Sequence, residues 1–136
     1  VNEFVLAADT VGELNGEIFG KPKNREEAFK ILKTLSGEIH KVITAYVFKN
    51  ISKNILIKDV VISEVKFLEL DDETIDWYLD TGEPFDKAGA YGIQGYGRIL
   101  IEKINGDYYS IMGFPISNFL KNLRKIGYKI SQIDKI

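Results

Sequence analysis

Apolar residues cluster into short runs separated by polar or glycine-rich breaks, and the runs predict alternating strands and helices. Ile39–Phe48 carries the strongest β signal, with Val42, Ile43, Thr44, Ala45, Tyr46, Val47 and Phe48 in succession. Ile55–Leu70 resumes it, rich in Val and Ile, with charges at Lys58, Asp59, Glu64 and Lys66. The polar stretch Lys49–Lys53 between them reads as a turn, so the two segments are expected to pair as an antiparallel hairpin. Upstream, Glu3–Ala8 is an apolar run that predicts a buried strand ending at Asp9-Thr10. Asn15-Gly16, inside Val11–Phe19, is a strong hairpin signal.

The helices announce themselves by caps and by spacing. Asn24 precedes Glu27 by three positions, a capping-box pattern, and Ala28, Ile31, Leu32 and Leu35 fall on one helical face before Ser36-Gly37 stops it. Asp71 is a second N-cap, before a helix of about ten residues whose apolar face is Ile75, Tyr78 and Leu79 and whose stop is Gly82. A loop from Glu83 to Gly97 follows. Arg98–Ile104 and Tyr108–Met112 are expected to form a hairpin across Asn105-Gly106-Asp107. Pro115 suits the first turn of a last helix through Ile116, Phe119, Leu120 and Leu123, and Tyr128–Ile133 is expected to be a final strand. The sum is a mixed α/β fold with a largely antiparallel sheet and flanking helices. The hairpins argue against a purely parallel, doubly wound sheet.

Composition narrows the function classes. The 136 residues suit one domain, read here as residues 1–136. A net charge of −2 with a pI near 5.5 argues against a partner such as a nucleic acid polymer, which calls for a basic face, but not against a single nucleotide. No Cys is present, so there is no disulfide framework, thiolate nucleophile or cysteine zinc site. No apolar run reaches the roughly 18 residues a membrane span requires, and no signal peptide is legible. A cytoplasmic protein is the expectation. His40, the only His, suggests neither a zinc site nor a catalytic triad.

The densest chemistry lies in Asp86-Lys87-Ala88-Gly89-Ala90-Tyr91-Gly92-Ile93-Gln94-Gly95-Tyr96-Gly97. It combines a carboxylate, an ammonium and a carboxamide with small residues that let the backbone bend or be approached closely. From Asp86 to Gly95 it resembles, letter for letter, the signature of the Maf (septum formation inhibitor) family. The resemblance extends along the chain: Ala8-Asp9-Thr10, Gly20-Lys21-Pro22, Leu35-Ser36-Gly37 with His40, Val42 and Thr44, Glu64-Val65, Glu83-Pro84, Gly106-Asp107-Tyr108-Tyr109 and Gly113-Phe114-Pro115-Ile116. Taken alone, Asp9-Thr10 also reads as turn capping, and Lys21, Glu64 and Lys87 as solvated charges.

The resemblance implies a fold and reaction similar to those of the inosine triphosphate pyrophosphatases. A nucleoside triphosphate would be hydrolysed to the monophosphate and pyrophosphate with a divalent metal, Mg²⁺ or Mn²⁺. It implies Asp9 as general base and Lys21 as a substrate contact. Thr10 and Gln94 match the positions that mark the branch acting on dTTP and UTP. Lys87 is a second candidate for phosphate charge, and Asp9, Glu64 and Asp86 are candidate metal ligands. Whether Asp9 orients water or holds metal is open in the sequence. A homodimer is implied as well.

Two departures qualify the expectation. Glu38 stands where the family usually carries Arg after Ser-Gly. The family's opening strand, Ser-x-Ser-Pro-Arg-Arg loop and helix have no match here, so the activity is expected of the complete fold, with this chain alone weak or inactive. Their lack is also expected to leave apolar sheet surface uncovered. The alternative function is a non-catalytic protein that binds a nucleotide or a division-related partner.

Overall fold

The computed structural model describes residues 3–135. In chain order the regular elements are β1 (Phe4–Leu14), β2 (Glu17–Phe19), α1 (Arg25–Leu35), β3 (Ile39–Asn50), β4 (Ile55–Phe67), α2 (Asp72–Asp80), β5 (Ile101–Asn105), α3 (Tyr108–Met112) and α4 (Ile116–Lys125). The strands form one sheet in the order β2-β1-β3-β4-β5, and every neighbouring pair is antiparallel. Short helical turns at Glu83–Asp86, Ala88–Ala90 and Gly95–Leu100 carry the chain from α2 to β5.

The pleat sorts β3 cleanly. His40, Val42, Thr44, Tyr46, Phe48 and Asn50 are buried, while the residues between them are half-buried or exposed. That inner face carries two apolar clusters. At one end, Val42, Val65 and Phe67 pack with Ala28, Leu32 and Leu35 of α1, Ile75, Tyr78 and Leu79 of α2, and Tyr91. At the other end, Tyr46, Phe48, Ile55 and Ile57 pack under Phe119 and Leu123 of α4. Burying such a side chain contributes about 1.5–3 kcal/mol each, so the helices are held chiefly by this face. The caps are as the sequence predicts: Asn24 Oδ1 accepts the Glu27 amide at 2.8 Å and Asp71 Oδ1 the Thr74 amide at 2.7 Å.

The outer face is bare. Val5 is 62% exposed, Val60 53% and Ile62 56%, with Ile39, Val47 and Leu56 beside them. Apolar sheet surface is therefore exposed on this side among the described residues. This exposure also corrects one reading: Glu3–Ala8 is not a buried strand, because Phe4, Val5 and Leu6 are exposed. Over residues 4–11, β1 has β3 on one side and no strand on the other among the described residues.

Three further expectations differ from the structure at the C-terminal end. Tyr108–Met112 is helix α3 rather than a strand. Asp107 caps it, accepting the Tyr109 and Ser110 amides at 3.2 and 3.3 Å, and this local bonding outweighs the β preference of the Tyr-Tyr pair. Gly95–Leu100 is helical, so β5 begins only at Ile101. Tyr128–Ile133 forms no strand; the segment turns locally, with the Gln132 amide on the Lys129 carbonyl at 2.9 Å and the Lys129 amide on Gln132 Oε1 at 2.8 Å.

Candidate functional site

A cleft of about 570 Å³ opens along β1 and reaches the inner-face residues His40 and Val42, within the usual range for a small-molecule site. Ala8, Asp9, Thr10, Val11 and Gly12 line it consecutively. Side chains alternate faces along a strand, so a run of five marks a cleft along the open edge of β1. The opposite wall is the glycine-rich loop, with Glu83, Asp86, Lys87 and Gln94; Met112 of α3 and Lys21 complete the rim, and His40 and Val42 form the floor.

Asp9, Thr10, Lys21, Asp86, Lys87 and Gln94 are thus brought to one cavity. Glu64 is not among its lining residues. It lies on β4 opposite Lys41 and Asn105, and Asn105 Nδ2 approaches its carboxylate at 3.5 Å. Among the described residues no group of three His, Cys, Asp or Glu could hold a metal ion. The set Asp9, Glu64 and Asp86 is therefore not assembled, because Glu64 sits two strands away from the cleft edge.

Asp9 is exposed, and one carboxylate oxygen accepts the Thr10 amide at 3.0 Å. Thr10 faces Thr44 across the sheet, Oγ1 to Oγ1 at 2.9 Å. Thr44 donates its own hydroxyl hydrogen to the Ser110 carbonyl at 2.7 Å, so Thr10 is the donor of the pair. The Thr10 hydroxyl is thereby committed to the scaffold, and its remaining lone pairs accept. Lys21 is exposed and takes no ion-pair partner among the described residues. The Gly89 amide donates to the Gly20 carbonyl at 3.1 Å, which ties the Lys21 connection to the loop bearing Lys87. Lys87 pairs with Asp86 at 3.3 Å, an exposed contact that solvent screens. Gln94 is exposed, and its carboxamide has no hydrogen-bond partner among the described residues.

Sequence reasoning missed how the loop is supported. Glu83, Tyr78 and Tyr91 are its anchors, and a signal existed in Tyr78, on the otherwise apolar face of α2, whose hydroxyl must find a partner when buried. His40, 1% exposed, meets the Tyr91 hydroxyl through Nε2 at 2.7 Å and packs edge-on against Phe67 and Tyr91. Its Nδ1 is buried with no protein partner among the described residues. Burial pushes His40 down from 6.5 to about 4 and pushes the Tyr91 hydroxyl up. The unfolded chain therefore binds the extra proton first, between pH 6.5 and 4. The stability that His40 contributes is fully present above pH 6.5 and is lost as pH falls toward 4, on the order of 3 kcal/mol. Urea midpoints measured across that window should fall in the wild type and be flatter in His40→Gln.

No helix among the described residues is long and apolar enough to cross a membrane. Residues 1–126 match the family model described as Maf-like protein. A Fusobacterium nucleatum protein named dTTP/UTP pyrophosphatase is 84% identical over all 136 residues, which span 71% of its length. Proteins of the same name from Pyrococcus furiosus and Clostridium tetani are 51% identical over 129 residues and 47% over 126, each alignment spanning 66% of the relative.

Proposed function

We propose, from the premise that this chain belongs to the Maf family, that its cleft binds dTTP or UTP and that the fold hydrolyses it to the monophosphate and pyrophosphate. The observation that carries the reading is the gathering of Asp9, Lys21, Lys87 and Gln94 around one cavity. The naming of three relatives as dTTP/UTP pyrophosphatases supports the same substrate pair.

Each residue then has a chemical part. The Asp9 carboxylate takes a proton from the water that attacks the α-phosphorus. Lys21, exposed, and Lys87, half-buried beside Asp86, neutralise charge on the phosphates; each carries its ammonium on a flexible four-carbon stem that can serve substrate and leaving pyrophosphate alike. The Gln94 carboxamide offers both N–H donors and a carbonyl acceptor, and the edge of uracil or thymine presents both an N–H and carbonyl oxygens. Thr10, held by Thr44, fixes the shape of the cleft beside Asp9.

The donor set bears on the metal. With no three-ligand group among the described residues, the chain offers no closed cage. Asp9 and Asp86 on one cleft fit the other common arrangement, in which Mg²⁺ or Mn²⁺ takes one or two carboxylates and fills its shell with phosphate oxygens and water. These two residues would hold it, and the ion would supply further neutralisation of phosphate charge. The reading includes a cytoplasmic location, where nucleoside triphosphates are found. It also includes a homodimer, supported by the bare sheet face and checked by light scattering.

Hydrolysis in ¹⁸O-labelled water tests the reaction: the label should enter the monophosphate and not the pyrophosphate, and the reverse would place the attack on the β-phosphorus and sink the proposed role of Asp9. Gln94→Ala should lower kcat/KM for dTTP and UTP roughly tenfold to a hundredfold, mostly through KM, the loss expected for unpaired base-edge groups. A steady-state comparison with dCTP checks it.

A further inference from the structure

Glu83 lines the cleft but spends its carboxylate inward. Oε1 accepts the Tyr96 amide at 2.9 Å, and Oε2 accepts the Gly97 amide at 2.9 Å together with the hydroxyl of Tyr78. Tyr78, fully buried on α2, in turn accepts the Gly92 amide at 2.9 Å. One carboxylate and one phenol therefore hold residues 92, 96 and 97. These are the two shoulders of the segment that carries Gln94, whose own side chain is unpartnered among the described residues.

The backbone is wrapped closely around this pair. A Cβ on Gly95, where φ is +67°, would stand 2.1 Å from Glu83 Oε1. One on Gly97 would stand 2.0 Å from the Gly92 carbonyl oxygen and 2.8 Å from the Tyr78 hydroxyl. Gly95 thus lets the loop close on Glu83, and Gly97 lets it close on Gly92 and Tyr78. Burial and then the bond to Glu83 push the Tyr78 hydroxyl up, so it stays a donor at any ordinary pH. A carboxylate is acceptor-only and meets three donors here without conflict, whereas a carboxamide would turn an NH₂ toward one of them.

We propose that Glu83 is a positioning residue: with Tyr78 it fixes the loop so that Gln94 presents its carboxamide to the pyrimidine edge, and so sets base selectivity without touching the nucleotide. This rests on the reading of Gln94 as the group that reads the base. A preordered loop loses less freedom when the nucleotide binds, so the clamp acts on affinity and discrimination rather than on the bond-breaking step.

The experiment uses the full chain, steady-state kinetics with dTTP and dCTP, and amide hydrogen exchange. Glu83→Gln should raise KM for dTTP about tenfold with little change in kcat, the effect of losing hydrogen bonds to a charged group. It should also reduce the preference for dTTP over dCTP by a similar factor and speed exchange at Tyr96 and Gly97. Adding it to Gln94→Ala should cost nothing further, because once the carboxamide is gone there is nothing left for the clamp to position. Tyr78→Phe, which keeps the ring and deletes only the bridging hydroxyl, should do the same more weakly, and stands in should Glu83→Gln fail to fold. Three outcomes overturn the proposal. Equal losses of kcat for both nucleotides would make Glu83 a scaffold residue only. Full additivity with Gln94→Ala would mean that Glu83 contacts the nucleotide or its metal directly. Faster exchange at Tyr96 and Gly97 with selectivity intact would leave the clamp but remove its function. The underlying reading fails separately, and this proposal with it, when wild type itself does not discriminate dTTP from dCTP or when Gln94→Ala leaves that discrimination unchanged.

Discussion

Asp9→Asn is expected to slow pyrophosphate release from dTTP and UTP by roughly a hundredfold to ten-thousandfold, the range for removing a positioned general base. Asparagine keeps the side-chain volume and a carbonyl oxygen, so it can still accept the Thr10 amide as Asp9 does at 3.0 Å. What it loses is the charge and the basic oxygen at the open edge of β1. Asp9 is exposed, so the fold does not depend on it, and the thermal midpoint should stay within the small range of surface substitutions. The loss should appear chiefly in kcat; nucleotide affinity should fall much less, because Lys21, Lys87 and Gln94 are untouched and Asp86 remains as a carboxylate for the ion. Rapid-quench measurement of product per turnover, beside equilibrium binding of an α,β-imido nucleotide, separates the two quantities.

Gly97→Ala should be the most damaging single methyl group in the chain's glycine-rich loop. Its Cβ would lie 2.0 Å from a backbone carbonyl, that of Gly92, which cannot swing aside as a flexible side chain can. The two strands of the loop must separate, and the Gly97 amide leaves Glu83 as they do. Overpacking of this kind costs about 1–3 kcal/mol of stability. The larger consequence is for Gln94, whose setting is lost with its shoulders; kcat/KM should fall about a hundredfold or more, as for a small misplacement of a binding group. Gly20→Ala is the matched control, since a Cβ there meets nothing within 4 Å. Its activity and thermal midpoint should be those of the wild type.

Much of this architecture is legible in the residues, and the gaps have physical causes. The strand pair Ile39–Asn50 and Ile55–Phe67 is signalled by β-branched density, and α1 and α2 by their caps, Asn24 and Asp71. These are local effects. Burial of β1 is not local: the run Phe-Val-Leu-Ala-Ala has the composition of a core strand, and only its neighbours decide whether anything covers it. At Tyr108–Met112 one capping carboxylate, Asp107, outweighs the β preference of its successors. In the cleft, Asp9, Thr10, Lys21, Lys87 and Gln94 stand out through the family resemblance; taken alone, such residues read as turn caps and solvated polar groups. Glu64 is not brought there, because its position on β4 depends on a register with β3 that no spacing in β4 reveals. Glu83 and Tyr78 escape notice for a related reason. Their hydrogen bonds reach residues 92, 96 and 97 by way of a fold-back that the sequence alone does not announce.

The most direct test of the central claim is the initial rate of pyrophosphate release from dTTP, UTP, dCTP, ATP and GTP with Mg²⁺ or Mn²⁺. It is made on this chain, on its Asp9→Asn variant, and on a version carrying the opening segment that the family resemblance implies. Release from dTTP and UTP should be at least about tenfold faster than from the others, the discrimination a base-edge hydrogen bond supplies, and should be lost in Asp9→Asn. Saturable dTTP binding with no pyrophosphate from either form, or release that Asp9→Asn leaves untouched, would contradict it.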